Sequence, residues 1–433
     1  MSDSNNPNLC TRRSVLKASI GLAAPMILPS TFFGEEAPSN RLRVGVIGTG
    51  GKAFGGAKNM QKAGGCDVVA LADPNTPNMA RYAKAFNVPE NRCFSDFRKL
   101  LELKDVDAVL IGTPDHWHVL CAKAAAEAGK HVYCEKPLSN TIAEGRALVD
   151  AINNSGVVFQ HGTQLRSKIG SRRVCQLVRN GYIGEVTKVT IGSPAGHATG
   201  DHAPQSVPEG LDWNMWVGPA KMIDYRPIIT GRIPEKGLRG WYFLEQFSHA
   251  GWIAGYGVHD IDLAHWALGL EHTGPVAIEG RGTFPEAGLF DTVMDYELTF
   301  TYAGGREITM TDTGKNRHGV KFHAENSEDW LFCRGNMDAS NRELLREQHK
   351  DGDTELYVSN NHEKNFADCV RAGDTKTITP IEVAHRSTSV CLLGGICLKL
   401  GRKLNWNPGT EQFVNDAAAN ELLRSKMRSP WKV

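Results

Sequence analysis

The sequence predicts an α/β protein whose first half builds a parallel, doubly wound sheet. Three observations carry this. From Arg41 onward, short β-rich apolar runs alternate with amphipathic helical stretches. Runs that are apolar throughout suit strands buried on both faces, which is how a parallel sheet covered by helices is made. A glycine-rich turn follows the first run and a carboxylate follows the second, the pattern of a dinucleotide-binding fold.

Residues 1–40 precede this rhythm. Thr11 to Lys17 read TRRSVLK, and the apolar stretch ASIGLAAPMIL follows. Twin arginines ahead of a modest hydrophobic run resemble a Tat export signal, although Val15 stands where Phe is commoner. The apolar run is too short to span a bilayer, so stable membrane insertion is not expected. A basic leader with no address is the alternative. An exported, periplasmic location is the expectation.

The strand runs are 44–47, 68–71, 108–111, 131–134 and 157–160, with helical stretches at 75–86, 118–128 and 142–153 between them. The first strand-to-helix turn reads VGVIGTGGKA, where Gly48, Gly50 and Ala53 fit G-x-G-x-x-G/A. The first glycine permits the tight turn and the second lets backbone N–H groups approach a pyrophosphate. The third small residue lets helix and strand pack closely. Asp73 ends the second run in VVALADPN. A carboxylate there accepts hydrogen bonds from ribose hydroxyls and repels a 2′-phosphate, so NAD is expected rather than NADP.

Composition narrows the classes of function. The 49 basic residues nearly balance the 48 acidic ones, which argues against a nucleic-acid surface. The ten cysteines contain no C-x-x-C pair, so neither a zinc knuckle nor a thioredoxin-like motif is expected. Those inside apolar runs, such as Cys134, Cys391 and Cys397, read as small core residues.

GTPDHWHV and GKHVYCEKPL, followed by QHGTQLRS, LDWNMWVGPA, GVHDIDLAHWALG, NFADCVRAG, AHRSTSVCLLGGICLKLGRKLNW and the terminal SPW, resemble the glucose–fructose oxidoreductase, inositol dehydrogenase and MocA (Gfo/Idh/MocA) family, exported members in particular. The likeness runs from Arg41 to the C-terminus. It implies a signal and linker over 1–40, an NAD-binding Rossmann domain over 41–163, and a substrate and oligomerisation domain over 164–433. That second domain would be α+β with an open, mostly antiparallel sheet. The alternating stretches 186–191, 277–283, 295–302 and 307–312 agree with strands on one such sheet. Helices near 365–371 and over 384–400 would pack back beside it, and an exposed sheet face implies a homodimer or homotetramer.

The resemblance also implies roles. Lys136 in EKP would stand beside the nicotinamide and hydrogen-bond the reacting hydroxyl, with Pro137 aiming it and Glu135 orienting it or the substrate. His259 in GVHDID would serve as acid/base. Many family dehydrogenases carry Asp four residues before that histidine, where this chain has Gly255. A glycine side chain can orient no base, so Tyr256 is a candidate to supply a hydroxyl instead. Thr113, Asp115, His116 and His118 lie in the loop that meets the nicotinamide half of the cofactor. Gln164, Arg166 and Asp260 are assigned to the substrate, although Asp260 and Asp262 on a helix start point away unless the turn redirects them.

His116 with His118, and His259, Asp262 and His265 at helical spacing, admit a metal reading. Hydride transfer needs none, so no metal is assigned. Trp213, Trp216, Trp241, Tyr242 and Trp252 form an aromatic stretch that reads mainly as core, although such rings can stack on sugar faces. The expected activity is an NAD-dependent oxidoreductase acting on a sugar or polyol. A glycoside hydrolase or lyase that oxidises a sugar transiently is the alternative. A sugar-sensing protein without catalysis is a third, disfavoured because Lys136 and His259 are both retained.

Overall fold

The computed structural model describes residues 41–233 and 237–433. The twin-arginine segment lies outside the described residues. The first domain runs β1 (Leu42–Ile47), α1 (Gly51–Ala63), β2 (Cys66–Ala72), α2 (Thr76–Phe86), β3 (Cys93–Phe94), α3 (Phe97–Leu101), β4 (Ala108–Ile111), α4 (His118–Glu127), β5 (His131–Cys134), α5 (Ile142–Ser155) and β6 (Phe159–His161). Its six strands lie in the order β3-β2-β1-β4-β5-β6, and every pairing is parallel. This is a Rossmann sheet, with its order reversing between β1 and β4. In such sheets ligands bind beyond the carboxyl ends of the strands at that switch point.

Local chemistry explains the helix starts. Asn75 caps α2 by accepting from the Asn78 amide, and Thr141 caps α5 by accepting from the Glu144 amide. Gly156 ends α5 at φ 67°, a left-handed conformation that glycine adopts without a Cβ penalty. Helix α1 is the helix that the glycine turn opens; its buried face is made of Ala53, Gly56, Ala57 and Met60, too small to write an apolar stripe of its own. Strand β6 begins at Phe159, and the Val158 carbonyl before it already accepts from the Val132 amide at 2.9 Å.

The second domain holds α6 (Ile169–Arg179), β7 (Val186–Ser193), α7 (Gly257–Leu268), β8 (Ala277–Gly282), β9 (Tyr296–Thr301), β10 (Glu307–Asp312), β11 (Gly319–Ala324), β12 (Trp330–Arg334), β13 (Asn336–Ala339), α8 (His362–Ala372), α9 (Ile381–Leu400), β14 (Leu404–Asn407) and β15 (Gln412–Phe413). The nine strands are ordered β13-β12-β11-β7-β10-β9-β8-β14-β15. All neighbours are antiparallel except β7 and β10. Four of these strands were anticipated; β11 to β15 are short or lie towards the sheet edges, where periodicity is weakly written.

Helices α6, α7 and α9 bury one face of this sheet in a shared core that includes Ile261, Leu298, Phe300 and Leu393. On β9, Tyr296, Leu298 and Phe300 are buried while the alternate residues are half-exposed, so the opposite face is only partly covered. Helix α8 corrects an expectation. It packs not beside this sheet but on α1, with Phe366 and Ala367 joining the Met60 cluster of the first domain. No helix among the described residues is long and apolar enough to cross a membrane.

Candidate active site

The Gly48–Ala53 turn opens a groove at the carboxyl ends of β1, β2, β4 and β5. Gly48 has φ +85°, and a Cβ there would stand 2.6 Å from the Thr113 amide nitrogen. The side chain of Ala53 fills the space beside Gly112, where an added Cβ would meet its methyl at 2.6 Å. Gly50 differs. The nearest protein atom to a Cβ there would be the Gly112 carbonyl at 3.8 Å, so nothing in the protein demands a glycine. The space it leaves open is where a pyrophosphate would approach the first amides of α1, and the residues fit a dinucleotide. The Tyr82 hydroxyl fixes the turn by donating to the Gly50 carbonyl, a brace with no signal in the glycine motif.

These contrasts predict separable outcomes. Gly48→Ala should lower stability by about 1–2 kcal/mol through its left-handed backbone alone, before the clash is counted. Gly50→Ala should melt within a few degrees of the parent yet lose at least about tenfold in NADH affinity, because only the ligand needs that space. Thermal melting beside NADH fluorescence titration separates the two.

Asp73 is buried at the end of β2. It accepts from the Thr49 amide (2.6 Å), the Thr49 hydroxyl (2.7 Å) and the Asn75 amide (2.7 Å). Burial pushes its pKa up, and these donors pull it back.

Lys136 follows β5, and the Lys136–Pro137 peptide is cis. Its ammonium donates to the Gly255 carbonyl at 2.5 Å and faces the rings of Tyr256 (5.5 Å) and Tyr242 (6.0 Å). Position 255 therefore does orient the lysine, through its backbone rather than a side chain. A Cβ at Gly255 would sit 2.8 Å from the Trp252 ring, so Asp would not fit here without displacing that indole. Burial lowers the Lys136 pKa, and the carboxylates of Asp115 and Glu135 oppose the shift. Asp115 lines the groove, accepts from the Ser248 hydroxyl at 2.6 Å, and is pushed up to about 7 by burial.

Glu135 and Thr113 also line the groove. Gln164 braces Glu135, donating to its carboxylate and to the Tyr133 hydroxyl, both at 3.0 Å. His118 borders the groove with its ring nitrogens turned to the carbonyls of Pro137 (2.6 Å) and Thr113 (3.0 Å), so it holds the lysine turn in place. His259 is buried, and its Nδ1 has no partner among the described residues. Burial, then the nearby cations of Lys136 and Arg334, keep its imidazole neutral by lowering its pKa well below the usual value. Tyr256 packs between Trp252 (4.6 Å) and His318 (5.9 Å), under the lysine.

Three assignments need correction. Arg166 is not in the groove; it is buried and makes two 2.8 Å hydrogen bonds to Asp262, with Glu271 at 3.3 Å and the Trp266 ring beneath it. Asp260 is fully buried and binds Arg334 at 2.6 Å, so it reaches the site only through that guanidinium, which lies over the Tyr256 ring. His116 is also buried, directed to the Trp216 carbonyl and packed on Phe247, and does not line the groove. A cation and a carboxylate near a catalytic motif read as ligand contacts in a linear sequence. Their pairing with each other becomes visible only when the helices meet.

Of the aromatic stretch, Trp216, Trp241 and Tyr242 line the groove, while Trp213 and Trp252 support them by stacking. Arg232 and Arg239 line it as well and were not anticipated. His265 is bound to the Tyr302 hydroxyl at 2.6 Å, and among the described residues no three metal-ligating side chains converge.

Comparison with known proteins adds a second line of observation. A model of an oxidoreductase family with an NAD-binding Rossmann fold matches residues 42–163. Its companion, the C-terminal alpha/beta domain of the oxidoreductase family, matches residues 167–433. A glycosyl hydrolase family 109 protein from Shewanella sp. (strain ANA-3) is 32% identical over 204 residues, 40% of this chain and 44% of that protein. A levoglucosan dehydrogenase from Pseudarthrobacter phenanthrenivorans is 34% identical over 116 residues, 27% of this chain and 29% of that protein. The chain thus spans less than half the length of these curated relatives. Among solved structures, levoglucosan dehydrogenase in complex with NADH and levoglucosan shares the fold at 18% identity and a TM-score of 0.58, over 84% of this chain and 99% of that one.

Proposed function

Because this chain belongs to the Gfo/Idh/MocA oxidoreductase family, we propose that it is an NAD-dependent enzyme moving hydride between nicotinamide and a CH–OH group of a sugar or polyol. The observation that carries this reading is the half-buried Lys136 ammonium, held by the Gly255 carbonyl beside Asp115 in the groove that the glycine turn opens. The dinucleotide, when bound, supplies the hydride acceptor. Lys136 donates a hydrogen bond to the substrate hydroxyl and lowers its pKa. His259, neutral and with its Nδ1 unpartnered among the described residues, would take the proton only in passing, since burial and the adjacent cations disfavour its charged form. Asp115 keeps Lys136 charged despite its burial. Trp241 and Tyr242, stacked at 3.7 Å, offer an aromatic wall for a sugar face.

Asp73 supports NAD over NADP, since its carboxylate opposes a 2′-phosphate. The twin-arginine run supports export through the Tat route to the periplasm, and the half-covered sheet face supports a homo-oligomer. The levoglucosan dehydrogenase relatives favour a sugar substrate. The hydrolase-named relative favours a second reading, in which sugar oxidation is transient and a glycosidic bond is cleaved without net redox change.

The test is to denature protein purified through its own export route, quantify released NAD(H), and screen sugars and aryl glycosides at 340 nm beside product release. Sugar-dependent NADH formation supports the dehydrogenase. Cleavage without net reduction transfers the case to the hydrolase, and absence of both activities with no dinucleotide binding overturns the proposal.

Asp115→Asn tests the electrostatics. Removing this carboxylate removes the main influence that holds the Lys136 pKa up. The alkaline limb of the kcat profile should therefore move to lower pH. An acid limb set by Asp115 near pH 7 should flatten in the same variant. Profiles of kcat from pH 5 to 10 check both, and unchanged limbs would remove Asp115 from this role.

A further inference from the structure

Arg232 and Arg239 face each other across an isolated antiparallel bridge and both line the cofactor groove. Like charges placed directly opposite in a strand pair repel. Among the described residues neither guanidinium makes an ion pair with a carboxylate. Each is instead fixed by a carbonyl: Arg232 donates to Gly237 at 3.0 Å and Arg239 donates to Thr230. Arg81 approaches the same end of the groove and donates to the Thr49 carbonyl at 3.4 Å. Burial, then the neighbouring Arg232, lower the Arg239 pKa, and the Asp73 carboxylate only partly opposes the shift.

The position of Arg232 identifies the missing anion. Its Nη2 stands 3.7 Å from where a Cβ of Gly51 would be, so the guanidinium overhangs the first residue of α1. That is the turn at which Gly50 leaves space and the helix amides point outward, the place of a dinucleotide diphosphate. We propose that Arg232 and Arg239 reach from the second domain to clamp the diphosphate of the bound dinucleotide, a reading that rests on the NAD-binding function above. One anion bridging both domains restrains their separation. The enzyme would then release its cofactor slowly, as a protein working away from the cytoplasmic NAD pool requires. Forked donors on two guanidinium groups match phosphate oxygens, which a lysine point charge does not do.

The full chain and its Arg232→Ala, Arg232→Lys and Arg239→Ala variants would be titrated with NADH, NADPH, ADP and adenosine by fluorescence and calorimetry. Arg232 is exposed, so its substitution should leave the melting temperature unchanged. The expected result is at least about tenfold weaker binding of NADH and ADP in both alanine variants, a faster NADH off-rate, and a shallower salt dependence. Adenosine should bind all variants alike, and Arg232→Lys should recover only part of the loss. A 2′-phosphate contact would instead weaken NADPH alone, and that outcome overturns the clamp. So does wild-type NADH binding that the alanine variants match within twofold. A wild-type chain that binds neither NADH nor ADP would overturn the NAD reading itself, and the clamp with it.

Discussion

Lys136→Ala is expected to lower kcat by about 10²–10⁴-fold, the range for losing a positioned proton donor. The basic groups beside the ammonium do not replace it. His259 is neutral, Arg334 is committed to Asp260, and Lys52 leans on Glu135 at 3.7 Å. Cofactor affinity should stay within a few-fold of the parent, because the glycine turn and Asp73 are built by other strands. A stability cost is expected too. The Gly255 carbonyl would lose its 2.5 Å donor in a buried site, worth about 1–3 kcal/mol. Lys136→Arg should not restore turnover, since the rings of Tyr242 and Tyr256 face the end of the lysine and a guanidinium needs a wider space. Rates at 340 nm beside NADH titration and melting separate these effects. A kcat within tenfold of the parent in the alanine variant would remove Lys136 from the chemistry.

Much of this site is legible in the sequence, and the division between what is and is not legible has a physical basis. Gly48, Gly50, Ala53 and Asp73 are readable because one short βαβ segment contains both the motif and the reason for it. Lys136 is readable for the same reason: a strand end and a following proline fix where its side chain emerges. The role of position 255 is not, because a carbonyl has no letter in a sequence. Gly255 looked like the loss of a catalytic partner, yet its backbone oxygen does the orienting and Trp252 occupies the space an aspartate would need. Arg232 and Arg239 escape notice because they lie far along the chain from the turn they overhang. Helix α8 was misjudged for a related reason, since its apolar stripe indicates that it packs but not against which partner.

The largest stability effect follows from one of the corrected assignments. Arg166 and Asp262 are 3% and 1% exposed at their side chains, and their two hydrogen bonds tie the start of the second domain to α7. Desolvating both charges is expensive, so the intact pair contributes little net stability, whereas removing one partner strands the other. Arg166→Ala should therefore destabilise the protein by about 3–5 kcal/mol. The pH dependence tests the cause. Burial raises the Asp262 pKa and Arg166 opposes the rise, so without the arginine the folded-state value climbs further above the unfolded one. A group raised in this way favours folding below its unfolded pKa and loses that contribution as pH rises through its folded value. The deficit of Arg166→Ala should consequently be greatest at neutral and alkaline pH and smaller near pH 4. Replacing both members, with Arg166→Met and Asp262→Leu, should recover most of the stability, because no buried charge is left unpaired. Urea unfolding of the parent and both variants at pH 4.5 and 7.5 measures these effects. A substrate-binding arginine would behave differently, raising KM while leaving the unfolding midpoint nearly unchanged.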